Sequence, residues 1–372
     1  MRAVVVRPPT PGASLVNVPA PSLPAGAVRV RVIEVGVCGT DHDIVSGKYG
    51  RSPVGSTDLI LGHENLGEVA EVGTGVSGFS AGDLVVATVR RGCGHCRFCA
   101  ANRSDFCETG EFTERGIGGA NGFLTEEYVE RPEYVVRVPS SLAPIAVLLE
   151  PLSVVEKAVA MVQQVLDRKE PTPGFPRTAP PRALVAGTGA IGMLAAFVLR
   201  VRGYEVTAVD RHGEGTPADA LLARIGARHT NVVEGITALE PGTFDVVFEA
   251  SGSVPLDFDL VGLLGPNGAL VLTGIPDADR PSDPVRGGAL FRGIVLHNQA
   301  VVGSVNANRS YFEGGVQDLG VFEQQWPGAV AQVISARRPL EAFADVLTNR
   351  GDGTIKGVLT VRPGGATTLG TR

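Results

Sequence analysis

Along the 372-residue chain the spacing of apolar positions changes twice. Up to about residue 150 the apolar residues fall in short runs such as Arg29–Val37 (RVRVIEVGV), Gly67–Val72 (GEVAEV) and Asp83–Val89 (DLVVATV). Clusters of Gly, Pro and Ser separate them, a texture that predicts an all-β, barrel-like domain. Residues 151–168 (PLSVVEKAVAMVQQVLDR) place apolar side chains at helical spacing and predict a helix. The Pro-rich stretch 171–181 then reads as a surface connector. Beyond it, predicted strands Arg182–Ala186, Glu205–Asp210, Phe244–Ala250, Ala269–Gly274 and Val301–Val305 alternate with helices Ala190–Arg202, Pro217–Ile225 and Leu256–Leu264. Continuous apolar strands between short helices imply a parallel sheet covered on both faces. A last strand, Ile355–Val361, is expected to rejoin the N-terminal domain, and the tail after Pro363 has nothing to bury.

Composition narrows the picture. With 44% hydrophobic and 19% charged residues the chain has a globular balance, and its length calls for two domains. A net charge of -6 without any Lys/Arg run excludes a nucleic-acid footprint. The start, MRAVVVRPPT, reads as a first strand rather than a signal peptide. No stretch approaches the ~18 unbroken apolar residues of a membrane span. A soluble cytoplasmic protein is therefore expected. The triplets Asn102-Arg103-Ser104 and Asn308-Arg309-Ser310 carry no weight as glycosylation sites without a secretory signal. Of five cysteines, Cys93, Cys96, Cys99 and Cys107 crowd into fifteen residues. An odd, clustered set in a chain without an export signal points to metal ligation rather than a disulfide framework.

Gly187-Thr188-Gly189-Ala190-Ile191-Gly192 is a GxGxxG between a predicted strand and helix. Its glycines permit the tight turn, the approach of pyrophosphate to the backbone and close strand–helix packing. The helix N-terminus offers unpaired N–H groups to phosphates. Asp210, eighteen residues beyond Gly192, ends the next strand where a carboxylate accepts from ribose hydroxyls. Its charge favours NAD, whereas the adjacent Arg211 and His212 leave NADP possible.

Cys93-x2-Cys96-x2-Cys99-x7-Cys107 supplies four thiolates on a short lobe, about residues 92–108. They suit a closed structural zinc site, with an iron–sulfur cluster as the competing reading. His95, inside the lobe, is surplus to a shell the sulfurs complete. A second set is dispersed: Cys38 in VGVCGTD, and His63 and Glu64 in LGHENLG. Taken singly, each is more often a core or hydrogen-bonded residue.

Their surroundings decide the matter. Gly62-His63-Glu64-x2-Gly67-x5-Gly73-x2-Val76 resembles the zinc signature of the medium-chain alcohol dehydrogenases, and Cys38-Gly39-Thr40-Asp41, the four-cysteine lobe and the glycine loop follow in that family's order. The stretches RRGCGHCRFCAANRSDFCETGEF, EPLSVVEKA and VVGSVNANRSYFE are most similar to its archaeal-type glucose dehydrogenase branch. The resemblance implies an α/β chain: a GroES-like β-rich catalytic domain (1–152 and 307–372) plus a Rossmann doubly wound parallel-sheet domain (153–306). It implies a catalytic zinc on Cys38, His63 and Glu150, with Glu64 an alternative or exchanging ligand. It makes Thr40 the proton-passing hydroxyl, places Glu114, Glu150, His297 and Asn306 against sugar hydroxyls or nicotinamide, and adds Ser251 to the cofactor contacts. Three positions depart from the pattern. Asp43 stands where many alcohol dehydrogenases have a relay His, with His42 one position early, and Val89 and Val154 replace polar residues of some sugar-specific relatives.

The function so implied is hydride transfer from a sugar hydroxyl, leading with the anomeric carbon of glucose, to NAD in preference to NADP. It requires two zincs per chain and a homo-oligomer, dimer or tetramer. A polyol, secondary-alcohol or threonine-type dehydrogenase is the alternative within the class. Outside it stands a non-catalytic nicotinamide-binding redox sensor.

Overall fold

The computed structural model describes residues 1–167, 179–211, 215–231, 236, 239–276, 287–348 and 353–362. Most of the Pro-rich connector, His212 and the tail after Pro363 lie outside these residues. The chain divides into two compact units, Met1–Ser153 with Asn306–Gly320 and Ile334–Arg372, and Val154–Val305 with Val321–Val333.

The first unit is β-rich. Strands β1 (Arg2–Arg7), β2 (Thr10–Asn17) and, after β3 (Val28–Val37) and helix α1 (Gly39–Val45), β4 (Leu59–Ile60) form a small sheet in the order β2-β1-β4. β3 is the spine of the main sheet. It pairs antiparallel with β5 (Glu64–Val72) along one edge. Strand β6 (Leu84–Ala87) continues beyond β5. Next come β7 (Arg90–Arg91), helix α2 (Arg97–Ala100), β8 (Thr113–Arg115) and β9 (Gly119–Ala120), which carry the cysteine lobe. β10 (Glu127–Glu130) pairs with the start of β3, and β11 (Val135–Arg137) closes the far edge on β6. Val28, Val30, Val32, Val35, Leu59, Leu61, Val69, Val85 and Phe123 make the core, each 2% exposed or less. Fully burying a side chain of this kind contributes roughly 1.5–3 kcal/mol, so this valine-rich interior holds the sheet together without helices on both faces.

Helix α3 (Leu149–Asp167) begins two residues before the predicted helix, and the second unit starts within it at Val154. Then follow β12 (Arg182–Ala186), α4 (Ala190–Val201), β13 (Glu205–Asp210), α5 (Pro217–Arg224), β14 (Arg228–Asn231) and β15 (Phe244–Glu249). The run continues with α6 (Val254–Leu263), β16 (Leu264–Leu272), α7 (Gly287–Leu296) and β17 (Ala300–Gly303). The six strands are parallel, in the order β14-β13-β12-β15-β16-β17. One boundary differs from the pattern reading. Leu264, expected to end a helix, is already extended and pairs with Phe244, because a register shift lets β16 begin five residues before Ala269.

After β17 the chain returns to the first unit. Helix α8 (Arg309–Gln325) as far as Gly320, β18 (Ile334–Pro339), α9 (Phe343–Thr348) and β19 (Lys356–Thr360) complete it, β19 pairing antiparallel with Glu34–Val37 of β3. Residues 321–333, placed by the sequence reading in the catalytic domain, belong to the dinucleotide unit. Phe322 and Trp326 stack on Phe197 of α4 at 5.2 and 5.7 Å between ring centroids, and burying those rings outweighs sequence continuity.

Candidate active site and metal centres

Cys38 follows β3 and serves as the N-cap of α1. Its Sγ accepts from the Thr40 N–H at 3.3 Å, and Asp41 Oδ2 accepts from the Cys38 N–H at 2.9 Å, so the thiol is fixed at a helix start. The thiolate is the form of cysteine that ligates metal. His63 and Glu64 come from the entry to β5, the strand beside β3, and His63 Nε2 lies 3.0 Å from Cys38 Sγ. One ligand atom each from Cys38, His63 and Glu64 lies within 4.8 Å of the others. A single zinc with bonds of about 2.0–2.3 Å fits among atoms so spaced.

The surroundings are charged and buried. Asp41 Oδ1 faces His63 Nδ1 at 3.4 Å, neither atom having a hydrogen-bond partner. Burial opposes charge on the imidazole, but the Cys38 sulfur and Asp41 outweigh it and hold His63 well above its usual range. A carboxylate behind the outer nitrogen of a ligating histidine is the usual way to fix ring and tautomer. Glu64 Oε1 is ion-paired with Lys356 Nζ from β19, while Oε2 is buried without a partner. Burial would lower the ammonium, yet Glu64 holds it above the ordinary lysine value. Gly36 makes room for this pair, since a Cβ there would overlap Glu64 Oε2 and stand 3.0 Å from Lys356 Cε. Orphaned acceptor atoms beside a thiol and an imidazole are what a cation would satisfy, so the donor set fits zinc.

Glu150, at the start of α3, does not join the three ligands within 4.8 Å. It stands close enough to feel them. Burial pushes its carboxyl up to about 7, His63 and Lys356 pulling it down and Glu64 raising it. His42 is tied to the backbone, its Nδ1 2.6 Å from the Leu347 carbonyl oxygen.

Glu114 and Asn306, 192 residues apart, meet in the first unit, Asn306 Nδ2 donating to Glu114 Oε1 at 2.6 Å. The same oxygen accepts from Arg90 Nε and Nη2 at 3.1 and 3.0 Å. His297 lies in the second unit at the end of α7, exposed, with Nδ1 3.0 Å from the Gly293 carbonyl oxygen.

In the lobe the four sulfurs also lie within 4.8 Å of one another. Backbone N–H groups of Cys96 and Cys99 point at Cys93 and Cys96 sulfurs, each 3.4 Å away. A hydrogen bond from Thr109 draws Cys93 down to about 5 and lowers Cys107. Burial instead pushes Cys99 up to about 12. His95 is exposed and bonds the Cys93 carbonyl oxygen, outside the sulfur set.

The glycine loop connects β12 to α4 as its sequence predicts. A Cβ at Gly192 would overlap the Gly187 carbonyl oxygen, whereas one at Gly189 would meet nothing. Gly189 is thus free of any packing demand, and no side chain caps α4, leaving the space and the N–H donors a pyrophosphate needs. Thr188 turns inward and donates its hydroxyl to Asp210 Oδ2, and Arg211 is exposed beside it. Ser251 is exposed, its hydroxyl donating to buried Glu249 at 2.7 Å.

Sequence reasoning missed Asp41, Arg90 and Lys356 as site residues. Only Asp41 carried a signal, as the fourth residue of Cys38-Gly39-Thr40-Asp41. Nothing in the β19 sequence KGVLT distinguishes Lys356 from a surface lysine.

Medium-chain zinc-dependent dehydrogenases are built on this pairing of a GroES-like unit with a parallel dinucleotide sheet. Residues 24–140 match the alcohol dehydrogenase GroES-like domain and residues 143–361 the glucose dehydrogenase C-terminus. A glucose 1-dehydrogenase of Methanocella arvoryzae is 41% identical over 332 residues, 88% of this chain and 90% of that protein. That of Thermoproteus tenax is 40% identical over 347 residues, 93% of this chain and 95% of the other. Among solved structures, Haloferax mediterranei glucose dehydrogenase in complex with NADP, Zn and gluconolactone superposes with a TM-score of 0.85 at 29% identity, covering 97% of this chain and 99% of that one. The chain belongs to the glucose dehydrogenase family of the medium-chain zinc-dependent dehydrogenases.

Proposed function

We propose that this enzyme oxidises the anomeric carbon of glucose or a closely related aldose, giving a lactone and reducing a nicotinamide dinucleotide. The observation that carries this reading is the thiol–imidazole–carboxylate cluster in the same unit as the joined Glu114–Asn306 pair. The relatives named above, one of them with gluconolactone bound, support the sugar as substrate.

Cys38 and His63, with Glu64 or Glu150, hold the catalytic zinc, and Cys93, Cys96, Cys99 and Cys107 hold a second, structural one. When bound, the catalytic ion supplies a Lewis acid that lowers the pKa of a substrate hydroxyl. The residues do the rest. Thr40, anchored at Cys38, passes the hydroxyl proton outward. Glu114, oriented by Arg90, accepts from sugar hydroxyls, and Asn306 and His297 add contacts suited to a polyhydroxylated substrate. The backbone of Gly187–Gly192 takes the pyrophosphate, Ser251 lines the cofactor site, and Asp210 accepts from the adenosine ribose. Asp210 favours NAD; exposed Arg211 and the NADP-bound Haloferax relative support NADP as a second cofactor.

No helix of the described residues is long and apolar enough to cross a membrane, and we place the enzyme in the cytoplasm. It works as a homo-oligomer, dimer or tetramer. Edge strand β17 exposes Val301, and α7 exposes Phe291, Val295 and Leu296, an apolar surface suited to a second copy. Val89, buried where some relatives carry a polar side chain, favours a polyol or secondary-alcohol substrate as the second reading.

A panel of aldoses, polyols and simple alcohols assayed with NAD and NADP tests the proposal. The highest kcat/KM is expected with an aldose. A clear preference for a polyol or simple secondary alcohol overturns it, and one zinc per chain instead of two favours a non-catalytic sensor.

A further inference from the structure

Asp210, at the end of β13, is held at both oxygens. Thr188 donates its hydroxyl to Oδ2, and Nε2 of His229 lies 3.2 Å from Oδ1. His229 stands on β14, which pairs in parallel with β13, and only 2% of its side chain is exposed. Its other ring nitrogen, Nδ1, faces Asp219 Oδ1 on α5 at 3.4 Å. The imidazole is therefore clamped between two carboxylates from two elements. Nδ1 makes no hydrogen bond, so the contact with Asp210 is the closer of the two.

We infer that His229 is a specificity-determining residue, offsetting the charge of Asp210 and so setting the balance between nicotinamide dinucleotides with and without a 2′-phosphate. The inference rests on the reading that Asp210 faces the adenosine ribose. A bare carboxylate there repels a 2′-phosphate, which carries a charge near -2. A carboxylate that receives a hydrogen bond on each oxygen projects less of that charge, and an imidazole, unlike the Thr188 hydroxyl, is a group that can carry a compensating positive charge. With 2% of its side chain exposed, His229 is placed to act through the aspartate rather than on the cofactor directly.

Calorimetric titration of the zinc-loaded enzyme with NAD+ and with NADP+ tests this without turnover. His229→Gln is expected to weaken NADP+ about tenfold more than NAD+. Asp210→Asn shifts the ratio the other way, toward NADP+. The double variant resembles Asp210→Asn, because the effect of His229 passes through that carboxylate. His229→Asn, a smaller replacement, repeats the measurement should the longer side chain disturb folding, which thermal melts reveal. Equal weakening of both cofactors in the His229 variants makes the residue a structural wedge and overturns the proposal. An unchanged ratio in those variants, beside a shifted ratio in Asp210→Asn, overturns it while sparing the ribose reading. An unchanged ratio in Asp210→Asn removes both.

Discussion

The two proposed ligand sets of this enzyme are built in opposite ways. In the lobe, four thiols from one fifteen-residue stretch converge on the same small volume, and backbone N–H groups from that stretch support the sulfurs. Three of the four cysteines are only partly buried. The proposed catalytic set takes Cys38 after β3 and His63 and Glu64 from the entry to β5, then surrounds them with Asp41 from the helix that Cys38 caps and with Glu150 and Lys356 from two further places in the chain. His63, Glu64, Asp41 and Lys356 are all buried. A closed thiolate shell serves stability and needs little from the rest of the fold. A site that must leave room for substrate depends on distant groups to fix ligands and balance charge.

Replacing ligands in turn should separate the two sites. Cys38→Ser or His63→Ala is expected to abolish turnover, a loss of about 10³-fold or more, with circular dichroism and cofactor affinity preserved. Substantial activity in either variant would remove the dispersed cluster from the chemistry. Cys96→Ser should release one zinc and lower the melting temperature by about 5 °C or more, because metal binding there is folding energy. Turnover per folded molecule should stay within about threefold of wild type. If turnover collapses at unchanged stability, the division of labour is wrong.

A smaller effect is expected outside the ligands. Lys356→Met strips Glu64 of its counter-charge and should cost about 10- to 100-fold in affinity for the catalytic zinc, read by competition with a chelator. The lobe zinc should be unaffected, the fold should lose stability with Glu64 left unpaired, and adding Glu64→Gln should recover much of that stability, because the uncompensated charge is gone. Equal loss from both sites would mean that Lys356 supports the fold in general. The mildest change is Gly36→Ala, whose methyl group overlaps Glu64 Oε2 and should destabilise by about 1–3 kcal/mol in urea unfolding. Wild-type stability there would show that Glu64 is free to move.

The same contrast governs how much could be read beforehand. The lobe was legible because its ligands are neighbours in sequence, and the glycine loop because its turn, spacing and flanking strand and helix are local. Cys38 and His63 became legible through the motifs that frame them. Lys356 could not be found, since the residue it neutralises lies 292 positions away. Arg90 and His229 are equally unremarkable in sequence, and only sheet pairing brings Glu114 and Asp210 beside them. Segment 321–333 was assigned to the wrong unit because continuity along the chain says nothing about where Phe322 and Trp326 find Phe197.

By itself the sequence determined the two-part architecture, the clustering of four thiols and the glycine loop, which rest on short-range spacing: period-two strands, a turn that only glycine accommodates, and thiols a few residues apart. Its resemblance to a family supplied the class of chemistry. The tertiary structure alone decided which buried charges face one another. It set Asp41 behind His63, Lys356 on Glu64, Arg90 on Glu114 and His229 on Asp210. Those pairings depend on sheet register and strand order between segments far apart in the chain, and the free energy of a buried charge is set by what folding places next to it.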